Sequence, residues 1–177
     1  MENIQYLGWA ALVIYLIAPL CRIPRNTMKI TTIGECFNIL LYTLSMQWVG
    51  ALSITLNTIR AVCAIYASDK VLRYAMIASL SLVWGATLYY LKFPYDILIA
   101  FAATSIAFSQ KNRDNFYAYR SFVILSQILW IMHSYLTGMH TMMVTCAIMA
   151  AVHLVTVSYY AYKAYRNTGT FNISASQ

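Results

Sequence analysis

The chain has 177 residues, of which 61% are hydrophobic and only 10% carry a formal charge. Ordinary soluble domains contain about 25% Asp, Glu, Lys and Arg, so twelve basic and five acidic side chains are too few to keep this surface in water. The composition therefore excludes a soluble protein. It predicts one membrane domain, because a spanning helix needs about 20 residues and the length allows at most about eight spans.

Polar residues divide the chain into seven apolar segments, which we predict to be membrane-spanning helices. In chain order they are Tyr6–Leu20, Thr32–Met46, Val49–Ala67, Leu72–Leu91, Tyr95–Ser109, Ser121–Thr137 and Thr141–Ala161. The first segment has no basic region before it and no clear cleavage site after it, so we expect a retained helix rather than a signal peptide. We expect the membrane domain to cover residues 1–166 and the polar residues 167–177 to form a disordered cytoplasmic tail.

The basic residues lie almost entirely on one side of this topology. Lys92 is predicted on the other side and Arg60 lies within a span, whereas ten residues follow the odd-numbered segments: Arg22, Arg25, Lys29, Lys70, Arg73, Lys111, Arg113, Arg120, Lys163 and Arg166. Short loops rich in Lys and Arg stay in the cytoplasm, so we predict the N terminus outside and the C terminus inside. This side assignment also explains the net charge of +7, and we expect contact with anionic membrane lipids as its consequence. No nucleic-acid partner is predicted, because the basic residues are not gathered into one patch.

The order of helices and connections occurs twice along the chain. Each copy has an apolar helix, a basic inner connection, a second helix, a short outer turn ending in glycine and a third helix. The connections are CRIPRNTMK (21–29) and SQKNRDNFYAYR (109–120), and the turns end at Gly50 and Gly138. Two such triples run in the same direction only if one helix separates them. We therefore predict an all-α, 3+1+3 arrangement with repeats at about 6–67 and 95–161 and a linker helix at 72–91. Repeat transporters commonly bind substrate near the membrane midplane.

Arg60 is the residue that costs most to place in lipid, and two interpretations of it stay open. It lines a polar cavity, or its side chain extends to the inner headgroups. Ser53, Asn57 and Arg60 follow at i, i+4 and i+7 and share one helix face, although serine and asparagine also serve in helix packing. A planar guanidinium in a cavity would suit a carboxylate or phosphate group. Glu35 is expected to pair with a nearby cation, either Arg60 or one of Arg22, Arg25 and Lys29.

Four further residues complete the candidate substrate-binding set. His133 and His153 can change charge near neutral pH and couple a solute to protons, or they are neutral and hydrogen-bonded between helices. Thr156 lies one turn after His153. Trp84, near the middle of the fourth segment, packs in the core or contacts a solute.

Patterns typical of enzymes and metal sites are lacking. The four cysteines Cys21, Cys36, Cys63 and Cys146 show no CxxC spacing and no Cys/His cluster, so we predict no metal or cofactor. No activated nucleophile, no carboxylate pair within the spans and no glycine-rich phosphate loop is recognisable. We therefore predict that the protein is not an enzyme.

Two stretches resemble a known family. GALSITLNTIRAVCAIY (50–66) resembles the third helix of the YgjV family of bacterial inner-membrane proteins, and LWIMHSYLTG (129–138) resembles that family's Trp-x-x-His segment. The helix spacing is similar from about Gly8 to Tyr160. The family is in turn similar to the PQ-loop and SWEET-like transporters, so the resemblance implies the 3+1+3 architecture and a location in the inner membrane.

The chain departs from these families at two places. Pro24-Arg25 and Ser109-Gln110 stand where PQ-loop proteins have Pro-Gln. His153 and Thr156 stand where the YgjV pattern has Asn and Arg. The resemblance therefore implies architecture and carries no substrate with it.

Two functions stay open on the sequence. The leading prediction is a transporter of a small polar or anionic solute that works by alternating access. The alternative is a non-transporting membrane protein, such as an assembly factor, a sensor or a lipid-interacting scaffold. A wet cavity facing Arg60 favours the first, and a dry apolar centre with Arg60 at the headgroups favours the second. The sequence does not define the oligomeric state.

Overall fold

Seven α-helices form the chain in a computed structural model that describes residues 2–46, 48–91 and 93–168. They are α1 (Glu2–Ile17), α2 (Pro24–Leu44), α3 (Trp48–Tyr66), α4 (Asp69–Tyr89), α5 (Ile97–Lys111), α6 (Phe116–Leu136) and α7 (His140–Thr168), with short 3-10 turns at Ala18–Leu20 and Pro94–Asp96. Each helix corresponds to one predicted segment, which confirms the all-α class and the seven helices. Most of the predicted tail, residues 169–177, lies outside the described residues.

Three helices extend well beyond their apolar segments. α2 begins eight residues before Thr32, α6 begins five residues before Ser121, and α7 continues seven residues past Ala161. Pro24 suits the first turn of α2, where no backbone N–H is needed. Asn115 caps α6 by accepting a hydrogen bond from the backbone N–H of Ala118 at 3.0 Å.

The predicted basic connections therefore need correction. They are short turns, and part of each predicted connection is helical. Arg25 and Lys29 lie in the first turns of α2, and Arg120 lies in the first turns of α6.

Two layers of buried side chains show the directions of the helices. One layer joins the starts of α2, α4 and α6 to the ends of α3 and α5 through Met28, Ala64, Leu72, Met76, Ala107, Tyr119 and Val123. The other joins the end of α2 to the start of α3, the start of α5, the end of α6 and the start of α7 through Tyr42, Ala51, Ile54, Ile99, Ala102, Trp130 and Cys146. Consecutive helices are therefore antiparallel, as short connections favour. We call the end with the α1/α2, α3/α4 and α5/α6 connections the basic end and the opposite end the far end.

Ion pairs join the connections at the basic end. Arg25 lies 3.2 Å from Asp114, and Arg113, which is only 6% exposed, lies 2.5 Å from Asp69. These contacts place the residues that follow α1, α3 and α5 at one end of the bundle. The face of the membrane that this end occupies stays a prediction, and Lys92 and Gln47 lie outside the described residues.

Six helices surround a common interior, and the fourth lies outside them. The neighbours are α1 with α2, α2 with α3, α3 with α5, α5 with α6, α6 with α7, and α7 with α1. α4 packs against α3 and α5. The indole N–H of Trp84 donates to Thr104 Oγ1 at 3.1 Å and holds α4 to α5.

The connections before α3 and before α7, both at the far end, differ in their backbone. Gly138, between α6 and α7, has a φ of +72°, which glycine adopts without strain. Before α3, Met46 takes the left-handed conformation with a φ of +57°. Gly50, predicted to end this turn, instead lies in α3, where the ring of Tyr42 packs so closely that no Cβ fits.

The outside of the bundle is apolar. α3, α4 and Met142–Arg166 of α7 are long and apolar enough to cross a membrane, and Trp9–Leu20 is a shorter apolar helix. Large apolar side chains such as Ile77, Leu82 and Val155 are exposed, whereas polar side chains such as Asn38, Ser105 and Ser126 are buried. An apolar surface of this extent is typical of contact with lipid.

Candidate functional site

A cavity of about 100 Å³, lined by both polar and apolar side chains, lies inside the six surrounding helices, between the two buried layers. We call it the central cavity. Its polar lining residues are Tyr15, Thr31, Glu35, Asn38, Ser53, Asn57, Ser126, Gln127, Thr145 and His153. An engineered cavity of about 150 Å³ holds benzene, so this volume accepts about three water molecules or a solute of about four to six non-hydrogen atoms.

Glu35 is linked to Arg60 through one amide. Its carboxylate accepts a hydrogen bond from Asn57 Nδ2 and another from Thr58 Oγ1 at 2.8 Å. The amide oxygen of Asn57 accepts from Arg60 Nη2 at 3.3 Å and from Gln110 Nε2 at 2.8 Å. Of the pairings left open for Glu35, the structure therefore favours Arg60, although the two charged groups are joined indirectly.

Arg60 is fully buried, and its guanidinium donates hydrogen bonds to other groups of the protein. Besides the bond to Asn57, Nε donates to Gln110 Oε1 at 3.2 Å, Nη1 to Ser79 Oγ at 2.9 Å and Nη2 to the carbonyl of Ala103 at 3.4 Å. The side chain neither reaches the surface nor lines the central cavity. It joins α3 to α4 and α5.

Arg120 forms a second buried centre at the basic end. It was predicted in an inner loop, but it lies in α6 with no exposed surface. Its Nη2 donates to the carbonyls of Pro19 at 2.9 Å and Cys21 at 2.6 Å, and its Nη1 lies 2.8 Å from His153 Nδ1. Arg120 therefore joins α6 to α7 and to the end of α1.

The contact with Arg120 determines the tautomer of His153. A guanidinium carries only donors, so Nδ1 of the histidine must accept. A neutral His153 then carries its hydrogen on Nε2, which has no hydrogen-bond partner among the described residues.

A larger cavity of about 730 Å³ opens at the far end and is lined by several aromatic residues. We call it the far-end cavity. His133 lines it, with Nε2 3.9 Å from Asp96 Oδ1. Tyr42, Thr87 and His133 each contribute one buried polar atom for which the described residues supply no partner. Water or a ligand in this cavity would satisfy them.

An aromatic pair lies between the two cavities. Tyr42 lines the far-end cavity and Trp130 lines the central cavity, and their rings meet edge to face with centroids 6.2 Å apart. Trp130 also contacts the ring of His133 at 5.8 Å. The linings of the two cavities therefore meet at this pair of rings.

The predicted site residues separate into three groups. Ser53, Asn57 and His153 line the central cavity, and His133 lines the far-end cavity. Arg60, Trp84 and Thr156 line neither, and Thr156 donates to the carbonyl of Val152 at 2.7 Å.

Sequence reasoning did not place seven of the described polar lining residues in the site, and Glu35 is the charged one among them. The other six are Tyr15, Thr31, Asn38, Ser126, Gln127 and Thr145. An acid three residues inside a predicted span is the signal that could have found Glu35, because such residues usually have a function.

The residues that line the two cavities could interact with a ligand through hydrogen bonds and charge. Within the described ranges, no three His, Cys, Asp or Glu side chains come together in a group that could hold a metal ion. The central cavity has one formal negative charge, from Glu35, and no Lys or Arg among its described lining residues.

The seven described helices, with an apolar outer surface and polar side chains between them, define a helical membrane protein. The chain belongs to the Imp-YgjV family, described as bacterial inner membrane protein, whose model matches residues 3–168. The predicted YgjV resemblance and the inner-membrane location are confirmed. No curated protein and no solved structure matches the chain. Similarity to the PQ-loop and SWEET-like transporters stays a prediction.

Proposed function

We propose that the protein carries a small polar solute across the inner membrane by alternating access. The polar central cavity inside an apolar bundle is the observation that supports the proposal. Polar and ionisable residues within a membrane are costly, and they usually mark solute or ion pathways. The far-end cavity offers an approach from one side, and the pair of Tyr42 and Trp130 is the partition between the two cavities.

The helix neighbours support the predicted parallel repeats. α1, α2 and α3 pack in sequence, and so do α5, α6 and α7. The two triples meet at two seams, α3 with α5 and α7 with α1. An axis along the membrane normal that exchanges the triples would also exchange the seams, which is the relation expected of parallel repeats. In this proposal α4 is the linker helix, and it covers the α3/α5 seam.

Each seam contains a buried arginine. Arg60 on α3 bonds to Gln110 and to the carbonyl of Ala103 on α5. Arg120 on α6 bonds to His153 on α7 and to the carbonyls that follow α1. We propose that the triples move relative to one another at these two seams.

The contacts of Arg60 remove the reason for proposing an anionic solute. Its N–H groups are directed at protein acceptors, so a direct contact between Arg60 and an anion has no support. Asn57, Ser53, Glu35 and His153 form the polar wall instead. A solute that both donates and accepts hydrogen bonds suits this wall best.

Cysteine accessibility tests alternating access without knowledge of the solute. Ser53→Cys is introduced into a chain whose four native cysteines are replaced by alanine, in sealed vesicles of both orientations. Silver ion, a thiol reagent small enough for a cavity of about 100 Å³, is added from outside, and the loss of later maleimide labelling measures its reaction. The cavity position is expected to react in both orientations. Ser81→Cys is the matched control, because Ser81 is exposed on the outer face of α4 and lipid is expected to protect it in both.

The outcome also decides between the two functions. Reaction in one orientation only, or in neither, would contradict alternating access and favour the non-transporting alternative.

A further inference from the structure

We infer that the central cavity binds a small zwitterion, with its ammonium group at Glu35 and its carboxylate at His153, of the size of glycine or alanine. The statement that this molecule is the carried solute rests on the proposed function. The binding itself does not require transport.

Glu35 supplies the acceptor for the ammonium group. Each carboxylate oxygen accepts one hydrogen bond from α3, one from Asn57 and one from Thr58. An ionised carboxylate has about four acceptor positions, so about two remain for a ligand. Arg60 lies behind Asn57 and directs its N–H groups at other acceptors. A cationic donor in the cavity is therefore the group that completes the surroundings of Glu35.

His153 supplies the donor for the carboxylate. It is only 1% exposed, lines the cavity and has no described partner at Nε2, which carries the hydrogen because Arg120 donates to Nδ1. The positive charge of Arg120 directly behind the ring strengthens this donor. Charge-assisted hydrogen bonds are roughly twice as strong as neutral ones, so an anionic acceptor is favoured over a neutral one.

The size of the cavity and the net charge of the ligand restrict the range of possible ligands further. The volume of about 100 Å³ accepts about four to six non-hydrogen atoms, which matches glycine and alanine and excludes amino acids with large side chains. A zwitterion adds no net charge to the interior of the bundle. A simple cation at Glu35 would leave the Nε2 hydrogen of His153 without an acceptor, and a simple anion at His153 would leave Glu35 without a cationic donor. A zwitterion satisfies both groups, and a buried polar group without a hydrogen bond is costly.

Equilibrium binding to the full chain in lipid nanodiscs tests the inference by isothermal titration calorimetry. The probes are glycine, alanine, methylamine, acetate and phenylalanine. Glycine and alanine are expected to bind at least about ten-fold more tightly than methylamine or acetate, each of which has one of the two charged groups. Phenylalanine is expected not to bind because of its volume. This comparison uses the wild-type chain and does not depend on any variant that fails to fold.

Two variants test which residue binds the ammonium group of the ligand and which binds its carboxylate. Glu35→Gln is expected to weaken glycine binding at least about ten-fold and to leave acetate binding unchanged. His153→Phe is expected to weaken glycine binding similarly and to leave methylamine binding unchanged. Asp114→Asn, which removes an exposed carboxylate at the basic end, is the matched control and is expected to bind like the wild type.

The inference is overturned if acetate or methylamine binds as tightly as glycine, if phenylalanine binds equally well, or if glycine at about 10 mM gives no heat of binding. The outcomes also separate this inference from the transport proposal. Glycine binding with Ser53→Cys reactive in one orientation only would support the site and contradict transport. Reaction in both orientations without zwitterion binding would contradict the site alone.

Discussion

Replacing Arg60 by methionine removes the guanidinium that joins three helices and keeps a long, flexible side chain. Four hydrogen bonds are lost, to Gln110, Ser79, Asn57 and the carbonyl of Ala103. Glu35 also loses the cation to which Asn57 links it. We expect this substitution to be one of the most destabilising in the chain.

The magnitude follows from the contacts. Three of the four hydrogen bonds join α3 to α4 or α5. Hydrogen bonds between membrane helices average about 0.6 kcal/mol each, so these three account for about 1.8 kcal/mol. Removing one partner of a buried ion pair costs about 3–5 kcal/mol, because the other charge is left uncompensated. Arg60 and Glu35 are joined indirectly, so we take the lower value and expect Arg60→Met to reduce the free energy of unfolding by about 3 kcal/mol. Adding Glu35→Gln should recover about 1 kcal/mol relative to the sum of the single variants.

Unfolding by SDS in mixed micelles, followed by circular dichroism, measures these free energies. Arg73→Met is the matched control, because Arg73 is exposed on α4, and it is expected to change the free energy of unfolding by less than about 0.5 kcal/mol. A cost for Arg60→Met no larger than that of the control would refute the reasoning. Strict additivity of the Arg60 and Glu35 variants would refute the coupling between them.

Three further predictions concern Tyr42 and the second seam. Gly50→Ala should destabilise the protein by about 1–3 kcal/mol, because a Cβ would overlap the ring of Tyr42. In the control Gly85→Ala the added Cβ meets no atom within 4 Å, and this variant should stabilise the protein by up to about 1 kcal/mol. SDS unfolding measures both free energies, and equal effects would contradict the packing of Gly50 against Tyr42. Tyr42→Phe should cost less than about 0.5 kcal/mol because the hydroxyl has no described partner, and Tyr42→Ala about 3–5 kcal/mol. Arg120→Met should accelerate amide hydrogen exchange in residues 18–23, because Arg120 donates to the carbonyls of Pro19 and Cys21. Unchanged exchange would show that Arg120 does not anchor the end of α1.

Apolar segments predict the number and order of the helices because lipid requires each span to be apolar over most of its length. They do not predict where the helices end, because a helix continues as long as its backbone hydrogen bonds are made. Pro24 and Asn115 mark the true starts of α2 and α6. A charged residue in the first turns of a helix, such as Arg120, resembles a loop residue when hydropathy alone is considered.

Helical periodicity also predicts the inward face of α3. Ser53 and Arg60 are both buried, and Asn57 bonds to α2 and α5. Periodicity cannot predict the partners, because Gln110 lies 50 residues after Arg60 in the chain. The same limit explains why the sequence leaves two interpretations of Arg60 open, a cavity-lining role and extension to the headgroups. Only the packing of α5 against α3 shows that its donors are already occupied.

The two buried arginines relate to the central cavity in the same way. Arg60 contacts Asn57, which lines the cavity and bonds to Glu35, and Arg120 contacts His153, which lines it from α7. At each seam, therefore, the buried arginine contacts a residue that lines the cavity. A ligand changes a conformational equilibrium only through different interactions with the two states. A molecule that bridges Glu35 and His153 would contact the residues next to both seams at once. Ligand binding would then be coupled to movement at both seams, as a rearrangement of two helix triples around one site requires.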